Sequence, residues 1–179
     1  MKNSFLLPML AIALGLVSPV QADVKDTREN GFVIEATVMA EASPAAVYRQ
    51  LVRVADWWDP KHTWSGSARN LKLDPRAGGC FCEKLADGGS VQHARVIFAQ
   101  PGKLLRLDGA LGPLQDMAVS GVLSFNLAPD GPGTRINMTY RVAGVLAMDS
   151  AKLAPLVDQV MGIQLGRLRS AASGAPVGP

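Results

Sequence analysis

From residue 71 to residue 142 the chain is a run of short alternating segments separated by glycine, proline and aspartate, and one long helical stretch follows. That order narrows the fold more than any other feature. In the last two segments Val119, Gly121, Leu123, Phe125 and Leu127 share one side, and Ile136, Met138 and Tyr140 alternate with Arg135, Asn137, Thr139 and Arg141. A period of two with one apolar and one wet face marks antiparallel strands covering a core. Further strands are expected over residues 31–40, 71–73, 80–85, 91–99 and 104–111, giving seven in all.

The helical signals are fewer. Ser43-Pro44 opens a short helix: serine accepts from free N–H groups at a helix start, proline suits the first helical position, and Val47, Leu51 and Val54 form its buried stripe. The final helix is expected over residues 152–170, with Pro155 tolerated in its first turn. Leu153, Leu156, Val157, Val160, Met161, Ile163 and Leu168 make a broad apolar arc, with Gln164 near its middle. Such a helix lies along the apolar face of a curved sheet, so the class is α+β.

The start of the chain bears on location. Lys2, an apolar run over residues 5–17, Ser18-Pro19 and the small-residue end Val20-Gln21-Ala22 precede Asp23 in the layout of a secretory signal peptide. Cleavage is expected near Ala22, giving an exported protein, periplasmic or secreted. The run is too short for a span of about 20 residues, so no stable membrane insertion is expected after signal removal. Residues 23–30 read as a leader, 31–171 as one domain, and 172–179 as a disordered tail. The 18 basic and 15 acidic residues are scattered without an aromatic platform, which argues against nucleic acid as a partner. Two cysteines permit one disulfide and no disulfide framework.

Four local marks occur in order: "ASPAAVYRQL" after the first strand, "DWWDP" ending the helical segment, "RAGGCFCE" opening the third strand, and "AQPGKLLRL" across the next turn. Together with the element order they resemble the START-like, or SRPBCC, superfamily, which includes polyketide cyclases and Hsp90 ATPase activator-like proteins. The resemblance covers residues 31–171. It implies a helix-grip fold, a seven-stranded curved antiparallel sheet wrapped around a long C-terminal helix, with short helices after the first strand. It also implies a cavity between sheet and helix, in which relatives bind apolar small molecules or act on them. One fold serves many activities, so the resemblance selects none of them.

Two turns allow a register argument. Asp87-Gly88 suits a two-residue type I′ turn, which sets Cys82 opposite His93, Glu83 opposite Gln92 and Phe81 opposite Ala94. Pro101-Gly102 suits a type II turn, which sets Phe98 opposite Leu105, Val96 opposite Leu107 and Arg95 opposite Asp108. On this register Phe81, Glu83, Gln92, Val96 and Phe98 point inward, and Cys80, Cys82 and His93 point outward. The outward trio is a weak candidate for zinc or copper, because residues two apart on a strand are about 6.6 Å apart with parallel side chains. That spacing is also at the long end for a disulfide.

Glu83 is the sharper residue, since an inward carboxylate must find donors or take up a proton. Gln92 and Gln164 are its candidate donors. Phe81, Val96, Phe98, Leu105, Leu107, Trp64 and Met161 are expected to supply apolar wall, with Glu83, Gln92 and Gln164 orienting a polar end. His62 and one of Trp57, Trp58 and Trp64 are placed at the entrance, and residues 112–117 are a candidate lid. The expected function is binding of an apolar or amphipathic small molecule, without a cofactor or resident metal. The alternative is a cyclase- or hydrolase-type enzyme using Glu83, with His62, as acid or base. No nucleophile elbow, HExxH, P-loop or dinucleotide glycine motif is present.

Overall fold

A computed structural model of the chain describes residues 23–177. The expected signal peptide and the last two residues of the expected tail lie outside them. One antiparallel sheet runs in the order β1-β2-β8-β7-β6-β5-β4-β3. Its strands are β1 (Asp23–Arg28), β2 (Gly31–Ala40), β3 (Leu71–Leu73), β4 (Cys80–Lys84), β5 (Ser90–Gln100), β6 (Leu104–Asp108), β7 (Ala118–Asp130) and β8 (Gly133–Val145). Helix α1 (Pro44–Leu51) follows β2, and α2 (Ser150–Ala172) closes the chain.

The sheet therefore has eight strands rather than seven. The added strand, β1, lies in the expected leader, where the sequence DVKDTR carries one apolar residue, Val24, and so shows no alternation. It pairs with β2 through backbone groups at the sheet edge and needs no alternating side chains to do so. Both helices start at side-chain caps. Ser43 Oγ accepts from Ala46 N–H at the start of α1, and an Asp149 carboxylate oxygen accepts from Ala151 N–H at the start of α2, 2.7 Å away. The Asp149 cap begins α2 two residues earlier than expected, so Pro155 lies in the second turn and leaves the Ala151 carbonyl without its usual donor. Ser173, expected in the tail, closes α2 and accepts from Glu41 N–H through its hydroxyl.

The concave face is filled at one end. Trp57 is 1 % exposed and donates its indole N–H to Leu51 O, while Trp58 packs edge-on against Phe81 at 5.3 Å between ring centroids. These rings meet Leu105, Leu107, Leu123 and Phe125 around a residual void of about 10 Å³. This is packed core. Toward the other end Tyr140 is buried, donates to Gly109 O and accepts from Leu111 N–H, both at 3.0 Å. A β-carbon on Gly121 would collide with the Tyr140 ring, so glycine makes room for this clamp. Burial pushes the Tyr140 hydroxyl above its ordinary range and keeps it a donor.

Candidate functional site

Strand β5 decides what faces the interior. Its first turn forms as expected: Gly89 N–H donates to Ala86 O, with Asp87 at φ 56° and Gly88 at φ 80°. The next bond runs from Leu85 N–H to Gly89 O, which leaves Ala86 extra on the β4 side. Cys82 then faces Gln92 and Glu83 faces Val91, a slip of one residue from the expected pairs, whereas Phe81 still faces Ala94 and Cys80 faces Arg95. A bulge at His93 absorbs the slip. The second hairpin repeats the pattern. Lys103 N–H donates to Gln100 O, but the first pair is Gln100 with Leu104, and a bulge at Ile97 restores Val96 opposite Leu107 and Arg95 opposite Asp108.

Each bulge moves the inward set by one residue. Inward positions on β5 run Val91, His93, then Ala94, Val96, then Ala99, in place of the expected unbroken series of even-numbered positions. Three orientations change as a result. His93 is buried at 7 % exposure, not outward. Gln92 is exposed, not inward, and gives only its carbonyl to Gln115 Nε2–H. Phe98 is 44 % exposed and lies on the outer face under the Arg106 guanidinium. Strand β4 has no extra residue within it, so Phe81 and Glu83 point inward as expected.

Cys80 and Cys82 are half-buried on the outer side and joined by a disulfide, with Cα atoms 5.4 Å apart. With the thiols bonded and His93 turned to the other face, the three do not converge as a ligand set. Among the described residues no group of three or more His, Cys, Asp or Glu is placed to hold a metal.

Glu83 is 1 % exposed and its carboxylate is fully engaged. Oε1 accepts from Ser65 N–H at 2.5 Å, and Oε2 accepts from Trp64 N–H at 3.1 Å and lies 2.8 Å from His93 Nε2. Burial pushes this carboxyl up, but the hydrogen bonds from Ser65, Trp64 and His93 outweigh it and hold Glu83 below the ordinary carboxylate range. Its donors are thus the 64–65 backbone and His93, not Gln92 or Gln164. Gln164, also 1 % exposed, accepts from Asp59 N–H and directs its amide nitrogen at His62 Nδ1, 3.0 Å away. It anchors the loop after α1.

A cavity of about 500 Å³ opens beside this network, separated from the packed core by Trp58, which lines both. The loop after α1 contributes Trp58, Lys61, His62 and Trp64, and β5 contributes His93. Leu111–Met117 forms one wall, and the first half of α2 forms the roof with Leu153, Leu156, Val157, Val160 and Met161. Among the described residues no carboxylate lines it. Trp64 and Leu156 are more than half exposed and sit at its rim. Of the residues expected to form the site, Trp64, Met161 and His62 line this cavity. Glu83 and Gln164 stand behind His93 and His62; Phe81, Leu105, Leu107 and Val96 belong to the core. Val91 and Val96 are five apart, so both can face inward only if β5 gains a residue between them. That parity conflict was the sequence signal for the His93 bulge.

No family model and no curated protein matches the chain. Solved structures do. A protein from Rhizobium leguminosarum aligns with TM-score 0.60 and 19 % identity over 80 % of this chain and 95 % of its own. CalU16 from Micromonospora echinospora aligns with TM-score 0.55 and 15 % identity over 89 % and 87 %. The di-domain ARO/CYC StfQ of the steffimycin biosynthetic pathway aligns with TM-score 0.57 and 12 % identity over 83 % of this chain and 53 % of its own. At these identities the likeness concerns the fold alone, which is of the helix-grip kind.

Proposed function

We propose that this chain is an exported binding protein for an apolar or amphipathic small molecule, held between the first half of α2, the loop after α1 and residues 111–117. The observation that carries this reading is the cavity. Its volume of about 500 Å³ lies in the range of small-molecule sites, and its walls are mostly aliphatic and aromatic with a few convergent polar groups. A packed core of this composition leaves no such space, as the void of about 10 Å³ at the other end shows. The polar groups, Lys61, His62, Thr63 and His93, are all donors or bases, so the ligand's polar end carries acceptors or an acidic hydrogen. Export is supported by the layout of residues 1–22.

Native mass spectrometry of protein purified from its own host tests both parts. The expected species begins near Asp23 and carries a small molecule that is lost on collisional activation. A bare chain that retains residues 1–22 contradicts both.

A further inference from the structure

His93 differs from the other groups on the cavity wall because the side turned away from the cavity is built around it. Both oxygens of Glu83 are fixed by backbone N–H groups from Trp64 and Ser65, and Oε2 also meets His93 Nε2 at 2.8 Å. An ionised carboxylate only accepts, so the proton of that bond sits on Nε2. The neutral ring then carries its lone pair on Nδ1, which has no hydrogen-bond partner among the described residues. The ring is held in place by Phe81, 5.0 Å away between centroids. At the bulge Gly109 lies so close to β5 that a β-carbon there would collide with the His93 carbonyl and with Ala94. A carboxylate that orients an imidazole and balances its charge is the arrangement that general bases need.

We propose that His93 is a general base acting on apolar carbonyl compounds in the cavity, with Glu83 as its positioning residue. The proposal rests on the reading that the cavity admits an apolar small molecule. In the step, the Nδ1 lone pair takes a proton from the carbon next to the carbonyl. The C–H bond breaks, its electron pair becomes the enolate double bond, and the charge moves to the carbonyl oxygen. His93 becomes an imidazolium paired with Glu83. Where the substrate is a β,γ-unsaturated carbonyl compound, the enolate extends over the neighbouring double bond, and returning the proton to its far carbon completes a double-bond isomerisation that needs no oxidant, reductant or further reactant.

A donor for the enolate oxygen is also present. Gln164 Oε1 is committed to Asp59 N–H, so its amide N–H donates to His62 Nδ1, and a neutral His62 holds its proton on Nε2. His62 and Lys61 line the same cavity as His93.

The test uses 5-nitrobenzisoxazole, an apolar carbon acid that loses its ring C–H to a base while its N–O bond breaks, giving a coloured cyanophenolate. The purified protein is expected to accelerate this elimination saturably. His93→Gln keeps a donor for Glu83 but has no base, and should lower kcat about 100-fold. Glu83→Gln has one oxygen for two backbone N–H groups that bond different carboxylate oxygens, and no charge to balance the imidazolium formed in the step. Its kcat should fall at least about tenfold with KM unchanged, and the limb of the kcat–pH profile set by the base should move to lower pH, because the ring loses the charge that favours its protonated form. Anilinonaphthalene sulfonate binding, measured on all three proteins, reports the cavity separately. If the dye binds and His93→Gln eliminates as fast as the unaltered protein, the base assignment is overturned and the cavity reading stands. If the unaltered protein binds no dye, both fall.

Discussion

The two ends of the concave face are built from the same kinds of residue and come out opposite. At one end Trp57, Trp58 and Phe81 fill the space between sheet and α1 and leave about 10 Å³. At the other, α2 meets the sheet with Leu153, Leu156, Val157 and Val160, and about 500 Å³ stays open. Trp57 and Phe81 are spent on the packed end, and the first half of α2 presents only leucine, valine and methionine side chains to the open space. Polar groups follow the same division, since the bulge in β5 delivers His93 to the open end while the packed end is lined by aliphatic and aromatic residues. In this fold side-chain size decides which end is core, and one extra backbone residue decides what chemistry the open end holds.

The largest expected effect breaks the packed end. Trp57→Ala removes a fully buried ring that packs on Trp58 and donates to Leu51 O. It should cost about 3–5 kcal/mol in denaturant unfolding. A loss below about 1 kcal/mol would mean that this end is no better packed than the cavity.

A smaller effect is expected at the boundary between the two ends. Glu83→Gln loses charge-assisted hydrogen bonds and should cost about 2 kcal/mol at neutral pH. The pH dependence has a definite sign. The folded carboxyl titrates below its ordinary value of 4.5, so its contribution is present above that pH and is lost as pH falls through the folded value. The stability gap between the unaltered protein and Glu83→Gln should therefore narrow in acid, in parallel unfolding curves from pH 7 downward. A constant gap would show that the carboxylate is not held ionised by its donors.

Much of this architecture was legible in the chain. Alternation located β2 to β8, and the caps at Ser43 and the apolar arc of α2 located the helices, because those signals come from side chains. Strand β1 escaped because its pairing is made by backbone groups under a polar sequence. The site was legible only in part. Glu83 was placed inward correctly, since β4 has no bulge of its own and Phe81 fixes its faces. The outward expectation for His93 fails because a turn dipeptide does not set the whole register: one extra loop residue and one bulge offset each other within each hairpin. The parity conflict between Val91 and Val96 was the available warning. The disulfide was masked by the regular strand spacing assumed for Cys80 and Cys82, which the real strand shortens to 5.4 Å.

The smallest expected change in stability accompanies the most direct test of the central claim, that the space beneath α2 is a ligand site. Val160→Trp places a ring into open volume instead of packed core, and its stability should differ from the unaltered protein by less than about 1 kcal/mol. Saturable binding of anilinonaphthalene sulfonate should weaken at least about tenfold, since the ring occupies the apolar volume the ligand needs. Equal dye affinity in the two proteins, with Val160→Trp fully folded, would contradict the account.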